Sequence, residues 1–348
     1  EAANGVSLDT MRAWVLNDTN GPESFTLQEV PTPEPGYGEV RVRLEVAALN
    51  HLDLWVSRGM PAPSHFPHIA GADGTGVVDA VGEGVSTVVV DDPVVINPSV
   101  SCGVCPACLA GDTPYCRSYG ILGEHSSGTL ADFAVLPARN VVARPAGISI
   151  AEAGSYGLAY GTAMRMLRRT RLRSGDVLLV VGVGGGVSGA AQLIGQAMGA
   201  EVYVTSRSPD KIAAALEMGA AGGFDSSAEF ARELKKTTGR GADVVIENVG
   251  PATWNQSIRS MESGGRLAIC GSTSGPKVEI LVPYLFFKQL EVIGSTMFDH
   301  AEFALVTSLI DSGAVPVVVD SVHPFEDLPQ AIARLDSGLQ RGKVAIQH

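Results

Sequence analysis

Four of the chain's five cysteines crowd into one short stretch, S-C-G-V-C-P-A-C-L-A-G-D-T-P-Y-C. The spacing is C-x2-C-x2-C-x7-C, at Cys102, Cys105, Cys108 and Cys116. Thiols kept reduced inside a cell and clustered like this bind metal, and zinc suits four thiolates in a tetrahedron. Pro106, Gly111 and Pro114 supply the turns that wrap such a lobe, residues 101–117, around one ion. Four protein thiolates fill the zinc shell and leave no place for water or substrate, so the expected Zn2+ is structural. Cys270 stands apart in R-L-A-I-C-G and is expected as a small core residue.

The second chemical signal is D-V-L-L-V-V-G-V-G-G-G-V-S-G-A-A-Q-L-I-G-Q-A-M-G-A-E-V-Y-V-T-S-R. It reads as a strand from Val177 to Val181, a glycine turn, a helix from about Val187 to Met198, and a strand from Glu201 to Thr205. Glycines between strand and helix let a backbone approach a pyrophosphate, whose charge then sits at the helix N-terminus. Gly182, Gly185, Gly186 and Val187 are the expected contacts, and Ser188, where a third glycine is usual, stays small. An NAD site ends the second strand with Asp or Glu for the ribose 2′-OH. Here Ser206 and Arg207 stand there, with Lys211 one helical turn on. A hydroxyl, a guanidinium and an ammonium suit a 2′-phosphate, which predicts NADP(H) over NAD(H).

These sites need elements to hold them. Strand-like runs at Ala242 to Glu247, Arg266 to Gly271 and Leu290 to Gly294 alternate with helical segments, the pattern of a doubly wound parallel α/β sheet. Before about residue 150 the chain has short β runs broken by Gly and Pro, such as G-E-V-R-V-R-L-E-V, which predict a partly open barrel or sandwich. After about residue 298 helix and strand mix again. Residues 1–10 read as a loose leader before M-R-A-W-V-L, with no secretory signal. The 348 residues suffice for two cores. A net charge of −12 argues against nucleic acid or an anionic membrane as partner. The basic run Arg165 to Arg173 is expected to be a solvated helix end. The uncharged segment Val177 to Ala200 is too glycine-rich for a membrane span. A cytoplasmic protein with a small-molecule substrate is the expectation.

The four-cysteine lobe, the glycine turn and A-L-N-H-L-D-L-W together resemble the medium-chain dehydrogenase/reductase superfamily, specifically its zinc-type alcohol dehydrogenases and quinone oxidoreductases. The resemblance implies a GroES-like catalytic domain over 11–150 and 298–348, a Rossmann domain over 151–297, an active site between them, and homodimers or homotetramers. It also implies a structural zinc in the cysteine lobe. The zinc alcohol dehydrogenases carry a second, catalytic zinc, and the positions of its three usual ligands fall on Asn50, Ala72 and Leu158. Alanine and leucine have no donor atom, and one amide is a poor zinc ligand by itself. The hydroxyl that relays the alcohol proton in those enzymes is here Leu52.

Without Lewis acid or proton relay, alcohol oxidation loses its means, and hydride transfer to an activated alkene or a quinone remains. Asn50 and Asp53, as N-x-x-D, resemble the zinc-free quinone and enone reductases. Asn50 and Tyr160 are the expected donors to the substrate oxygen, and Asp53 the expected brace of Asn50 or of a loop. Carried over by position, the cofactor contacts are His51 at the pyrophosphate, Thr162 at the nicotinamide, and Asn248, Gly271, Ser272 and Lys343. The rival expectation is an alcohol or aldehyde oxidoreductase, with or without a rebuilt metal site, for which His51, Asp53, Asp73 and His125 are the available residues.

Overall fold

The structure, a computed structural model, describes residues 9–348. The chain divides into two compact units: residues 9–158 with 319–348, and residues 159–318. Both crossings fall later in the chain than the expected 150 and 297. Most of the expected leader, residues 1–8, lies outside the described residues. Among the described residues no helix is long and apolar enough to cross a membrane.

The second unit is built on a six-stranded, all-parallel sheet. From one edge to the other its strands are Gly222–Asp225, Glu201–Ser206, Val177–Val180, Ala242–Glu247, Met261–Ile269 and Glu291–Gly294. This is the 3-2-1-4-5-6 order of two mononucleotide-binding halves, which puts the crossover reversal between Val177–Val180 and Ala242–Glu247. Buried runs such as V-L-L-V carry apolar side chains on both faces because helices cover both. Val177, Leu179 and Val245 pack with Phe230, Trp254 and Leu267 into one core. The helix Gly157–Arg169 turns Arg165 inward, contrary to the solvated helix end expected there: its guanidinium is buried and meets Glu302 at 3.0 Å. Arg168, Arg171 and Arg173 are exposed as expected. Cys270 closes the strand Met261–Ile269 and is half-buried rather than in the core.

The first unit is β-rich. A seven-stranded sheet is centred on the long strand Glu39–Leu49, and in a three-stranded sheet Thr10–Leu16 lies between Phe25–Pro31 and His68–Ile69. The central strand pairs antiparallel with Asp73–Val81 on one side and with Lys343–Gln347 on the other. The register sets Ala48 opposite Asp73 and Leu49 opposite Val344. Three chain segments far apart in sequence therefore end at one place, just beyond Leu49.

Candidate functional site

The cysteine lobe lies in the first unit. The four sulfurs fall within 4.8 Å of one another. Cys102 Sγ is 3.8 Å from Cys108 Sγ, and Cys105 Sγ is 3.6 Å from it. A zinc tetrahedron with arms of about 2.3 Å has edges of about 3.8 Å, so these residues fit the ion. Backbone N–H groups of Val104 and Cys105 hold the Cys102 thiol down to about 6, which favours the thiolate a metal needs.

A buried polar cluster forms where the three segments of the first unit meet. Asn50, the residue after the central strand, opens the helix His51–Ser57. Its amide Nδ2 donates to Asp73 Oδ2 at 3.0 Å, and its Oδ1 accepts from Lys343 Nζ at 2.5 Å. Lys343 Nζ also donates to Asp73 Oδ2 at 2.8 Å. The other oxygen of Asp73 accepts the backbone N–H of Leu158 at 2.5 Å. The Asp73 and Lys343 side chains are only 0% and 3% exposed. Gly157 is required beside them, because a Cβ there would lie 2.7 Å from Asp73 Oδ1. Asp53 stands one layer back. Its carboxylate accepts the N–H of Asn50 at 2.7 Å and the N–H of Gly71 at 2.9 Å. Burial pushes its pKa from 3.8 up to about 6, against the pull of those two N–H groups and of Lys343.

This arrangement accounts for the three positions at which the zinc alcohol dehydrogenases have their catalytic-zinc ligands. Asn50 and Leu158 both bond Asp73, and Ala72 immediately precedes it. Among the described residues the cysteine lobe is the one group of three or more His, Cys, Asp or Glu side chains arranged to hold an ion. The rebuilt site weighed from His51, Asp53, Asp73 and His125 is not assembled: Asp53 is spent on backbone N–H groups, and His125 Nδ1 accepts from the N–H of Ile121.

The second unit carries the glycine turn. Gly182 has φ +76° and Gly184 φ +110°, a left-handed backbone that side chains resist. The helix Gly186–Ala197 follows, capped by Gly185 with no side chain over its first N–H groups. A Cβ at Gly185 or Gly189 would meet nothing, so the space over the helix N-terminus is open. That opening, with the helix dipole behind it, fits a pyrophosphate. The stem of Lys211 lies over Gly184, where an added Cβ would come 2.3 Å from Lys211 Cδ. Ser206 ends its strand with its Oγ accepting the N–H of Ser208, and Arg207 is exposed beside it. Asn248 Nδ2 donates to Ser188 Oγ at 2.9 Å, and Ser188 Oγ donates to Val181 O. The backbone at Gly271 runs close to that of Asn248. The expected cofactor residues of this unit, Gly182, Gly185, Gly186, Val187, Ser206, Arg207, Lys211, Asn248, Gly271 and Ser272, thus gather at the carboxyl ends of the strands, where ligands of such sheets bind.

The remaining expected residues divide. Thr162 is buried, its hydroxyl 3.9 Å from Met297 Sδ. The Tyr160 hydroxyl donates to Pro316 O and accepts from Val318 N–H, so its proton is committed to backbone. His51 is half-buried, its ring 6.4 Å from that of Trp55. Lys343, expected at the cofactor, has its ammonium held by Asp73 and Asn50 instead. Sequence reasoning missed three participants. Asp73 was weighed only as a metal ligand. Thr205 Oγ1 accepts the N–H of Gly182 and fixes the turn. Glu247 is fully buried and accepts N–H groups of Val249 and Gly250 and hydroxyls of Thr253 and Ser257, which fixes the loop carrying Asn248. A charged residue directly after the apolar run V-V-I was the available signal for Glu247.

Residues 36–146 match the family model described as the alcohol dehydrogenase GroES-like domain, and residues 186–312 the one described as zinc-binding dehydrogenase. The fold is similar to a crystallised NAD-dependent alcohol dehydrogenase, at 40% identity and TM-score 0.94, covering 97% of this chain and 100% of that one. An acryloyl-coenzyme A reductase from Metallosphaera sedula is 28% identical over 326 residues, 93% of this chain and 96% of its own. A 2-octenoyl-CoA carboxylase reductase, solved in complex with NADP and 2-octenoyl-CoA, is similar at 26% identity and TM-score 0.91, over 97% of this chain and 88% of that one.

Proposed function

Because the chain belongs to the zinc-type alcohol dehydrogenase family of the medium-chain dehydrogenase/reductases, an oxidoreductase family, we propose that it reduces an activated alkene or a quinone with NADPH, without a catalytic metal. One observation carries this reading. The side chains and backbone at the expected ligand positions, Asn50 and Leu158, turn to the Asp73 carboxylate, and the cation there is the Lys343 ammonium. A carbonyl or quinone conjugated to the reacting carbon spreads the incoming charge by itself, so no metal is required. Relatives named as an acryloyl-coenzyme A reductase and a 2-octenoyl-CoA carboxylase reductase lend support, since both names describe reduction of an alkene conjugated to a thioester.

When bound, NADPH supplies the hydride. The N-terminus of the helix Gly186–Ala197 and the turn at Gly182 and Gly185 would hold its pyrophosphate. Ser206, Arg207 and Lys211 would bind the 2′-phosphate, and no carboxylate ends their strand to favour NAD. His51, Thr162, Asn248, Gly271 and Ser272 complete the proposed cofactor contacts. In this reading Asn50 faces the substrate oxygen, Asp53 positions Asn50 through its backbone N–H, and Tyr160 positions residues 316–318.

The similarity to an NAD-dependent alcohol dehydrogenase favours a second reading, alcohol or aldehyde chemistry. Offering an enone, a quinone, an aldehyde and an alcohol with either cofactor, with and without a chelator, separates the two. The first reading expects NADPH-dependent enone or quinone turnover that survives chelation. Chelator-sensitive alcohol oxidation defeats it. Arg207→Ala and Lys211→Ala should each raise the KM for NADPH by about tenfold or more and leave that for NADH nearly unchanged. Equal effects on both cofactors defeat the NADPH assignment.

One structural zinc in the cysteine lobe and a homo-oligomeric, cytoplasmic protein complete the proposal. The oligomer is supported by the edge strand Glu291–Gly294 and the helix Val282–Lys288 next to it in sequence. Val282, Phe286 and Phe287 are 61%, 58% and 79% exposed there. Sedimentation at micromolar concentration should give a dimer or tetramer. A monomer would refute it.

A further inference from the structure

The Asn50–Asp73–Lys343 cluster has two donor positions left over. The Lys343 ammonium has three N–H bonds and uses two, on Asn50 Oδ1 and Asp73 Oδ2. The Asn50 amide has two and uses one, on Asp73 Oδ2. Among the described residues nothing accepts the third N–H of Lys343 or the second of Asn50. Both donor atoms share one acceptor, Asp73 Oδ2, so they are neighbours. A buried donor without a partner is costly, more so when it is charged, and two such donors side by side are a poor solution for stability alone. They are a good solution for holding an oxygen that becomes negative. The cluster is locked from behind: Asp53 fixes the Asn50 backbone, and Leu158 fixes the second Asp73 oxygen. Its rim is accessible, with Asn50 keeping 7% exposure and His51, Leu52 and Leu158 half-buried.

We propose that Lys343 and Asn50 form a two-donor cradle for the carbonyl oxygen of the substrate, with the ammonium supplying the positive charge that a metal would otherwise supply. This rests on the metal-free reduction proposed above. In that reaction hydride adds to the β-carbon, the alkene pair moves into the bond between the α- and carbonyl carbons, and the carbonyl π pair moves onto oxygen. The oxyanion is then bonded by Lys343 Nζ–H and Asn50 Nδ2–H. Water supplies the proton taken up at the α-carbon as the carbonyl re-forms. A donor that strengthens as charge develops acts on kcat more than on ground-state binding.

The test uses the full chain and two independent readouts. The first is binding of p-nitrophenolate, an oxyanion probe, to the cofactor-free protein, followed by its absorption shift. The second is steady-state reduction of an enone. Lys343→Met leaves Asp73 unpaired and risks misfolding, so Lys343→Met/Asp73→Asn, which also removes the carboxylate that the ammonium pairs with, is made beside it. The wild type should bind the phenolate, and both variants should bind it at least about tenfold more weakly. Their kcat should fall about 100-fold, with the KM for NADPH within about twofold, and Lys343→Arg should recover part of the loss. A wild type that binds the phenolate no better than the double variant overturns the cradle. So does a double variant whose kcat stays within about threefold. Absence of enone turnover in a wild type that binds the phenolate counts against the proposed function and leaves the cradle standing.

Discussion

Asp53 makes this protein's stability depend on pH in a way that one substitution isolates. Burial raises its folded-state pKa from 3.8 to about 6. A carboxyl raised on folding stabilises the folded state fully below its unfolded pKa, and that contribution is lost as pH rises through the folded value. A shift of about two units makes the loss about 3 kcal/mol when complete. Integrated between pH 4.5 and pH 7.5, it is about 2 kcal/mol. Asp53→Asn removes the titration. Its one carboxamide oxygen can accept from Asn50 N–H or Gly71 N–H but not both, a pH-independent cost of about 1–3 kcal/mol. The variant should therefore be clearly less stable than wild type near pH 4.5 and recover about 2 kcal/mol against it by pH 7.5. Urea denaturation of both proteins across that range gives the difference, from which all other titrating groups cancel. A difference that is flat in pH, or one that widens as pH rises, would refute the assignment of a desolvated, two-N–H carboxylate.

Three further outcomes are expected. Protein purified without added metal should contain about one zinc per chain, and Cys102→Ser or Cys105→Ser should lose it and lower the Tm; a normal Tm in a zinc-free variant would remove the lobe's structural role. Gly157→Ala should destabilise the protein by about 1–3 kcal/mol, because its Cβ would press Asp73 Oδ1 at 2.7 Å; an unchanged denaturation midpoint would contradict that contact. Arg165→Leu should cost about 3 kcal/mol by leaving the buried Glu302 carboxylate with only the N–H of Asp299 and Arg168 at 4.0 Å, whereas Arg165→Leu with Glu302→Gln, which keeps an acceptor for that N–H, should recover part of it; equal losses in the two variants would show that the pair is not what matters.

The second unit was legible because its signals are local. An apolar strand, a glycine turn and a helix follow within one stretch, and the remaining strands repeat the pattern. The cysteine lobe was legible for the same reason. The polar cluster was not. Asp73 and Lys343 are 270 positions apart, and only the register of three strands around Leu49 sets them side by side. From the sequence the missing metal ligands were visible as an absence; what stands in their place depends on a strand from the far end of the chain. Arg165 misled for a related reason. It sits in a run of arginines, and its partner Glu302 lies 137 positions on, so composition spoke for solvent while helical periodicity turned the residue inward. The later unit boundary at 318/319 follows from the same part of the chain, since the helix His300–Asp311 packs Phe303 on Phe298 inside the second unit.

The position of Lys343–Gln347 in the first unit's sheet also dictates an order of assembly. This strand pairs directly with the central strand Glu39–Leu49, yet the ribosome delivers it after the entire second unit. Until then the stretch Val46–Leu49 of the central strand has an open flank beyond its pairing with Phe133–Pro137, and Asp73 waits in a nascent domain without its cation. The second unit has all six of its strands in one uninterrupted stretch and can close first. Lys343 is thus synthesised only after the whole second unit, so a chain released before it carries all six strands of the parallel sheet and an Asp73 without its cation.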